Sequence, residues 1–409
     1  MKVNRRQAFR WSAAVGFCYG PLASWAVAGR DDIPLYERPL FSLRNTSKVP
    51  IKITSIELLQ RDSAYFLRTT SADGVSGLIQ TKQVEDFIPI LLRRVAPFFI
   101  GKDGRDLESL IDEVYIENYK MAGQAFWCPV AYVEQSLLDL LGKTAGKPVG
   151  ELLGGVIRKE IPVYLSGSSR ELKAEQEVAI YEKGIQFTGA RAVKFKIGGR
   201  MSRNEDAYPG RTETMIALAR KKLGDRITIY ADANGSYSSS KAIEVGRMLE
   251  DLHVAFFEEP CPWEELEETK KVADALRIPV AFGEQDSSLW LFQWTIDNRV
   301  MDIVQPDLNY NGGLIRGARV ARMAKEANMP ITPHNTQTDA GACNILQFAS
   351  AIPNIGPYIE FPWRRPQKQP GWYSPVPVIQ NGVIKVPTGP GMGIEIDPDY
   401  LKRAKKVEL

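Results

Sequence analysis

Six acidic or imidazole side chains recur through the second half of the chain, each just past a short apolar run. Successive members are 26, 26, 23, 27 and 26 residues apart. They are Asp232, Glu258, Glu284, Asp307, His334 and Glu360. If each interval is one strand–helix unit, these side chains occupy equivalent positions at the ends of successive strands and meet on one rim. The spacing therefore predicts one site that holds five carboxylates and an imidazole.

The first three of these positions offer only oxygen ligands. Asp232, Glu258 and Glu284 belong to adjacent units, and this set of three contains no Cys or His. Such a set favours a hard divalent cation, and we predict Mg²⁺. The cation would neutralise charge that develops on a substrate carboxylate. Glu259 is a weaker candidate ligand, because strand alternation points it away from the site.

Candidate proton-transfer groups flank the predicted metal site. Lys194 and Lys196 are two residues apart in one strand, so both point to the same face. Asp307 and His334 come from the next two units on the other side, and an aspartate beside a histidine fixes its tautomer and raises its basicity. This set predicts abstraction of a weakly acidic proton from the carbon next to a carboxylate, through an enediolate.

Eight apolar runs, most of them followed by a helical stretch, must position these side chains. Alternation of strands and helices predicts an α/β fold with parallel βαβ units, and eight units fit a (β/α)8-type barrel. An open doubly wound sheet is the alternative, but no glycine-rich phosphate loop follows the first strand. Upstream, a β-like pattern over 50–79 and helical spacing over 84–155 predict a small α+β domain. The runs are Ile161–Leu165, Ala192–Lys196, Ile227–Ala231, Ala255–Phe257, Val280–Phe282, Asp302–Gln305, Pro330–Thr332 and Tyr358–Ile359.

Short motifs surround the site residues in a fixed order. They are Val193-Lys194-Phe195-Lys196-Ile197-Gly198, Tyr230-Ala231-Asp232-Ala233-Asn234, Phe257-Glu258-Glu259-Pro260, Phe282-Gly283-Glu284, Val304-Gln305-Pro306-Asp307 and Thr332-Pro333-His334-Asn335. With further stretches around Leu138–Gly155 and Gly389–Gly393, they resemble the enolase superfamily over roughly residues 50–397. Within it, the resemblance is to the mandelate racemase/muconate lactonizing enzyme group and its mandelate racemase-like subgroup.

This resemblance implies a (β/α)7β barrel and an N-terminal capping domain that closes the site and selects the substrate. It also implies one Mg²⁺ per subunit and assigns a role to each site residue. By this resemblance Asp232, Glu258 and Glu284 are metal ligands, Lys196 is a base on one face, and Asp307 and His334 form a dyad on the other face. Glu360 is the electrophile, and Lys194 neutralises the substrate carboxylate. Asn234 and His334 contact the substrate.

Two reactions share this machinery, and a third hypothesis is a protein without enzymatic activity. Dehydration of a sugar acid to a 2-keto-3-deoxy acid is the one we favour, because it is the commoner outcome in the subgroup with this residue set. Racemisation or epimerisation of a 2-hydroxy acid is the alternative, since bases on both faces allow a proton to leave one face and return on the other. A retired, exported sugar-acid-binding protein would have lost a ligand or a base, and none is lost here.

The N-terminal segment predicts export. Arg5-Arg6 precedes an uncharged stretch that ends in Ala26-Val27-Ala28, which resembles a twin-arginine signal with a small-residue cleavage site. We therefore predict a periplasmic protein without a membrane span after cleavage, or a cytoplasmic protein if the segment is not a functional signal. The net charge of +3 arises in this segment, so a general affinity for nucleic acid is not expected.

The predicted boundaries follow these patterns. Residues 1–28 form the export signal, 29–49 a linker, 50–160 the capping domain, 161–360 the catalytic barrel, and 361–409 a segment that packs back on the capping domain. We expect a small-molecule carboxylate substrate and a homo-oligomer. The cysteines after residue 28 are three and widely spaced, so buried free thiols are expected rather than a thiolate metal site.

Overall fold

The computed structural model describes residues 33–167, 169–363, 365 and 370–409. The predicted export signal lies outside these residues. All the elements given below belong to one compact unit, Leu35–Leu409.

The N-terminal part is an antiparallel sheet covered by helices. Its hairpin strands β1 (Ile53–Arg61), β2 (Ala64–Ser71) and β3 (Ser76–Gln80) are joined by tight turns, and the second turn lies at the Ser-Ala-Asp-Gly sequence of residues 71–74. The helices that follow are α1 (Ile88–Ile90), a π-helical turn (Leu91–Val95), α2 (Ala96–Phe99), α3 (Leu107–Glu117), α4 (Gln124–Ala145) and α5 (Val149–Leu152). Helix α4 packs on β2 and β3, and Gly77 leaves no room for a Cβ against the α4 backbone.

The barrel predicted from the spacing is confirmed. Its parallel strands pair in chain order, and the last strand pairs with the first to close the ring. The strands are β4 (Glu160–Ser166), β5 (Ala192–Lys196), β6 (Thr228–Asp232), β7 (Phe256–Glu258), β8 (Val280–Phe282), β9 (Ile303–Val304) and β10 (Ile359–Pro362). The helices between them are α6 (Ala174–Thr188), α7 (Arg211–Leu223), α8 (Ser239–Asp251), α9 (Leu266–Ala275), α10 (Leu289–Asp297), α11 (Leu314–Glu326) and α12 (Cys343–Ala351).

The seventh strand position differs from the sequence prediction. The run Pro330–Thr332 forms no regular strand, and single bridges continue the ring instead. Ile331 bridges to Val304 and to Ile355, and His334 bridges to Asp307. Pro330 and Pro333 flank this segment and lack the backbone N–H that a ladder needs. Seven helices thus separate eight strand positions in the described part of the barrel, which is the (β/α)7β form.

Alternation along the barrel strands builds two interior layers. The lower layer is apolar and aromatic, and the rings of Tyr230 and Phe256 stack with centroids 3.8 Å apart. Two residues further along each strand, Lys194, Asp232 and Glu258 form a charged layer above it. These three charged side chains therefore lie toward the carboxyl ends of their strands.

The last 49 residues return across both parts of the molecule. Strand β13 (Val383–Lys385) pairs with β12 (Ile379–Gln380) and with the start of β4, whereas β15 (Lys405–Lys406) joins β1. The other elements of this segment are β11 (Tyr373–Ser374), β14 (Glu395–Ile396) and α13 (Pro398–Leu401). The C-terminal segment thus contacts the barrel and the capping sheet.

Residues in the predicted linker also pack against the domains. Two 3-10 turns, Leu35–Glu37 and Leu43–Thr46, lie in it, and Leu43 is buried. The carboxylate of Glu108 accepts the backbone N–H groups of residues 40 and 41. Elsewhere, Cys128, Cys261 and Cys343 are buried free thiols. Among the described helices, none has the length and apolar character needed to cross a membrane.

Candidate active site

A cavity of about 560 Å³ opens at the carboxyl ends of the barrel strands. Loops after the strands supply most of its lining, and the capping domain contributes Gln83 and Gln124. This volume is in the range of small-molecule sites. The predicted site residues that line it are Lys196, Asn234, Glu284, His334 and Glu360.

Three carboxylates converge beneath the cavity. Asp232 and Glu258 are paired in register on β6 and β7, and Glu284 follows β8. One oxygen from each lies within 4.8 Å of the others, and all three side chains are buried. Glu284 Oε2 accepts no hydrogen bond from the described residues.

The donor chemistry of this triad fits a hard divalent cation. Burial and the nearby charge of Asp232 raise the pKa of Glu258 well above its usual range, although Lys194 opposes this. Buried like charges and an unsatisfied carboxylate oxygen are costly unless a cation shares them. The all-oxygen set is the kind that Mg²⁺ prefers. The residues present therefore fit the predicted metal.

Lys194 is fully enclosed by protein, although its predicted role is to contact a substrate carboxylate. Its Nζ is 2.7 Å from Glu258 Oε1 and 2.9 Å from Glu360 Oε1, and the side chain is fully buried. It is absent from the cavity lining that the described residues form. The structure thus places Lys194 among the buried carboxylates, and its predicted contact with a substrate carboxylate remains a prediction.

Lys196 reaches the cavity directly. It is the last residue of β5, and its Nζ donates to Asp232 Oδ2 at the end of the neighbouring strand. Strand pairing places these two residues side by side. Its Nζ thus lies between the triad and the open cavity, where it can reach a bound molecule.

Asp307 and His334 form the predicted pair on another part of the rim. His334 Nδ1 is 2.8 Å from Asp307 Oδ2, and Nε2 is 3.5 Å from Glu284 Oε2. Burial would raise the pKa of Asp307, but Lys82 and His334 outweigh it and hold that pKa well below its usual range. An ionised Asp307 accepts a hydrogen bond from Nδ1–H, which leaves Nε2 directed toward the triad.

Glu360 closes the ring beside these groups. Its Oε1 contacts Lys194, its Oε2 accepts the backbone N–H of Asn335 at 3.2 Å, and it lines the cavity. Burial raises the pKa of Glu360, but Lys194 and His334 lower it further than burial raises it. In this arrangement Glu360 is an acceptor, and its predicted role as the electrophile remains a prediction.

The expected direction of Glu259 is wrong. Strand β7 ends at Glu258, and Glu259 adopts a left-handed φ of 40°, so strand alternation no longer applies. Glu259 lines the cavity, its Oε2 accepts from Asn234 Nδ2 at 3.1 Å, and its buried Oε1 has no hydrogen-bond partner among the described residues. Asn234 in turn accepts from Arg170 at 3.0 Å.

Several contributors to the site escaped the sequence reasoning. Gln305 Nε2 donates to Glu258 Oε2 at 3.1 Å, and its position at the end of the predicted run Asp302–Gln305, directly after β9, could have indicated this. Lys82, Gln83 and Gln124 come from the capping domain. No spacing relates these three to the barrel strands, so only the packing of the two domains reveals them.

Comparison with known proteins follows the same division of the chain. Residues 39–154 match the mandelate racemase/muconate lactonizing enzyme N-terminal domain, and residues 175–400 match the family described as enolase C-terminal domain-like. The arabinonate dehydratase of Saccharolobus solfataricus is 29% identical over 88% of this chain and 92% of its own length.

Two solved structures share the architecture. One, from Roseobacter denitrificans, is 38% identical with a TM-score of 0.83 and covers 87% of this chain and 99% of its own. The other is a mandelate racemase/muconate lactonizing protein from Paracoccus denitrificans PD1222 complexed with magnesium. It is 27% identical with a TM-score of 0.80, again over 87% of this chain and 99% of that chain.

Proposed function

Because this chain belongs to the mandelate racemase/muconate lactonizing enzyme family of the enolase superfamily, we propose that it is a sugar-acid dehydratase. It would remove water from a 2,3-dihydroxy acid and release a 2-keto-3-deoxy acid. The observation that carries this proposal is the presence of Lys196 and His334 on one cavity, around a buried triad of carboxylates. The similarity to an arabinonate dehydratase along most of both chains supports it.

The metal in this proposal is one Mg²⁺ per subunit. Asp232, Glu258 and Glu284 would hold it, since they supply an all-oxygen set with an unpartnered buried oxygen. A magnesium-complexed structural relative is consistent with this choice. When bound, the ion supplies positive charge that neutralises the substrate carboxylate as the neighbouring carbon loses its proton.

The residues of the chain carry the proton transfers. Lys196 Nζ or His334 Nε2 removes the proton from the carbon next to the carboxylate, and the electron pair of that C–H bond becomes part of the enediolate. His334 then donates a proton from Nε2 to the hydroxyl on the adjacent carbon, the C–O bond breaks and water leaves. The resulting enol becomes the 2-keto acid as its O–H proton leaves and one proton is added at the adjacent carbon. Asp307 holds His334 in the tautomer that this sequence requires.

The polar lining of the cavity favours a substrate rich in hydroxyl groups. Glu259 and Asn234 lie on one side, and Gln83, Gln124 and Gln285 face the same space. Buried amides and carboxylates lose hydrogen bonds to water when a ligand enters, so a polyhydroxy chain that replaces those bonds is preferred over an apolar one.

Assays with a panel of pentonic, hexonic and aldaric acids in the presence of Mg²⁺ test the proposal. Formation of a 2-keto product, detected as its semicarbazone after reaction with semicarbazide, supports dehydration. Deuterium exchange without elimination would instead indicate the racemase reaction. Saturable binding with neither reaction would indicate a sugar-acid-binding protein. The Glu284→Gln variant is the control for metal-dependent turnover.

We also propose export by the twin-arginine route to the periplasm and assembly as a homo-oligomer. The paired arginines and the Ala-x-Ala sequence support the first proposal. Replacing Arg5 and Arg6 with lysine should retain the precursor in the cytoplasm, whereas unchanged delivery to the envelope would show another route. Light scattering on the purified protein measures the oligomeric state.

A further inference from the structure

Lys82 is a buried cation that the capping domain places in the barrel site. It lies between the end of β3 and the 3-10 turn Val84–Phe87, and it is 8% exposed. Its Nζ is 2.8 Å from Asp307 Oδ2 and lies 4.1 Å from the centroid of the Tyr310 ring. A buried lysine is costly unless it is paired, so this contact has an energetic basis.

Asp307 uses both carboxylate oxygens in directed hydrogen bonds. Oδ1 accepts the backbone N–H groups of Asn309 at 2.7 Å and Tyr310 at 3.0 Å. Oδ2 contacts Lys82 Nζ and His334 Nδ1, each at 2.8 Å. The lysine and the imidazole therefore share a single oxygen, and the position of that oxygen depends on both of them.

The backbone of Lys82 is itself held by helix α4. The hydroxyl of Tyr132 donates to the carbonyl oxygen of Lys82. The next residue, Gln83, has a left-handed φ of 51°, lines the cavity and accepts a hydrogen bond from the Tyr310 hydroxyl at 3.3 Å. Neighbouring residues of one capping-domain loop thus contact the Asp307–His334 pair and the space for substrate.

We propose that Lys82 is a positioning residue for the His334 side of the reaction, through its contact with Asp307. The inference rests on the proposed function, in which His334 transfers a proton to or from the substrate. Lys82 restrains the carboxylate that orients the imidazole. Seating of the capping domain, which also presents Gln83 to the substrate, is then needed to complete this acid–base group.

Removal of Lys82 has a specific expected effect. Without its ammonium group, Asp307 Oδ2 keeps only the imidazole as a partner, and the imidazole loses part of its orientation. Loss of an outer partner of this kind typically costs 10–100-fold in activity. Lys196 is held by Asp232 within the barrel sheet, so its side of the reaction does not depend on Lys82.

The first test is stereospecific solvent exchange in D₂O on both α-epimers of the turned-over acid. Lys82→Met should lower exchange into the epimer that faces His334 by about 10–100-fold, and leave the Lys196-facing epimer within about twofold. Lys82→Arg should recover much of the loss, since it keeps a cation and a donor. The matched control is Lys143→Met, which removes another capping-domain lysine that pairs with an aspartate, at 2.7 Å. This control should leave the rate of exchange into both epimers unchanged.

The second test needs no substrate. The chain contains two histidines, His253 and His334, and His253 is exposed, so ¹⁵N-histidine labelling gives an internal reference beside the signal of interest. Lys82→Met should shift the ring nitrogen signals of His334 and leave those of His253 unchanged. The Lys143→Met control should move neither set.

Equal losses for both epimers, or no loss for either, together with unmoved His334 signals, would overturn the inference. If the wild type exchanges no acid in the panel, the proposed function fails, while the ¹⁵N spectra still decide whether Lys82 orients His334. Thermal melting checks folding of each variant. If Lys82→Met does not fold, Lys82→Gln retains a donor without the charge and carries the same two tests.

Discussion

The two sides of the cavity are built from different parts of the molecule. Lys196 ends a regular strand and contacts Asp232 on the adjacent strand, so its position follows from the barrel sheet. His334 lies where the seventh strand is reduced to single bridges, and Asp307 is held partly by Lys82 of the capping domain. One side therefore depends on the barrel alone, and the other depends on the contact between the two domains.

Helix α4 of the capping domain makes further contacts with the barrel near Asp307. Besides Tyr132, its Gln135 donates to Asn309 Oδ1 at 3.1 Å, and its Glu134 accepts the backbone N–H of Ile315 at 2.8 Å, in the first turn of α11. These contacts reach the loop that follows Asp307. His334 and Asp307, in irregular segments, thus depend on partners from the capping domain, whereas Lys196, on a paired strand, does not.

Loss of the metal should abolish proton transfer on both the Lys196 side and the His334 side of the cavity. Glu284→Gln should lower Mg²⁺ affinity by at least about 10–100-fold and remove turnover and exchange with both epimers, because the triad loses a charged ligand. Titration calorimetry with Mg²⁺ and proton NMR in D₂O measure these effects. Glu213→Gln, at an exposed position on α7, is the matched control. Full activity in protein shown to be metal-free would contradict the metal assignment.

Removal of one base should separate the two sides. His334→Asn should lower dehydration by about 10²–10⁴-fold, because the acid that expels the hydroxyl is gone, yet keep exchange into the epimer that faces Lys196. Lys196→Ala should show the opposite preference. Proton NMR of recovered substrate in D₂O gives both rates. If either variant loses exchange with both epimers while it still binds Mg²⁺ and substrate, a one-base mechanism is the better description.

Glu259 provides a smaller test on the Lys196 side. Its free Oε1 should accept a substrate hydroxyl, and Glu259→Gln replaces that acceptor by an amide while it can keep the contact to Asn234. We expect KM to rise about tenfold, with a smaller change in kcat, as for loss of one hydrogen bond. An analogue that lacks the contacted hydroxyl should show no such difference between variant and wild type. An unchanged KM for every acid that the wild type turns over would exclude this contact.

Glu134 tests the domain contact on the His334 side through pH. Burial raises its pKa to about 8, and the backbone N–H groups of Ile315 and Leu314 only partly offset this. The folded-state pKa is above the usual value of about 4.3, so the folded protein binds the proton more tightly. Its contribution to stability is complete below pH 4.3 and is lost as the pH rises toward 8, by on the order of a few kcal/mol.

The Glu134→Gln variant should flatten that fall, because an amide does not titrate but still accepts from Ile315. Denaturant unfolding from pH 5 to 8.5 gives the free energy of unfolding for both proteins. A parallel pH dependence of the two would show that Glu134 does not titrate in this range. Glu151→Gln, at an exposed position of α5, should keep the wild-type slope.

Regular strands account for the part of the site that the sequence predicted well. The ends of β6 and β7, and the loop directly after β8, follow the unit spacing, so the spacing alone identified Asp232, Glu258 and Glu284 as neighbours. Prediction failed where the chain leaves the strand conformation. Glu259 turns into the cavity through a positive φ, and the segment around Ile331 forms bridges instead of a strand.

The barrel class, the order of the units and the set of charged residues at their ends can be predicted from the amino-acid sequence. These follow from periodicity and spacing, which are local properties of the chain. Three features come from the packing of distant segments: Lys194 lies among the buried carboxylates, Glu259 faces the cavity, and Lys82 shares an oxygen of Asp307 with His334. Residues 82 and 307 are 225 positions apart, and no local pattern records a contact that only the packing of one domain on the other creates.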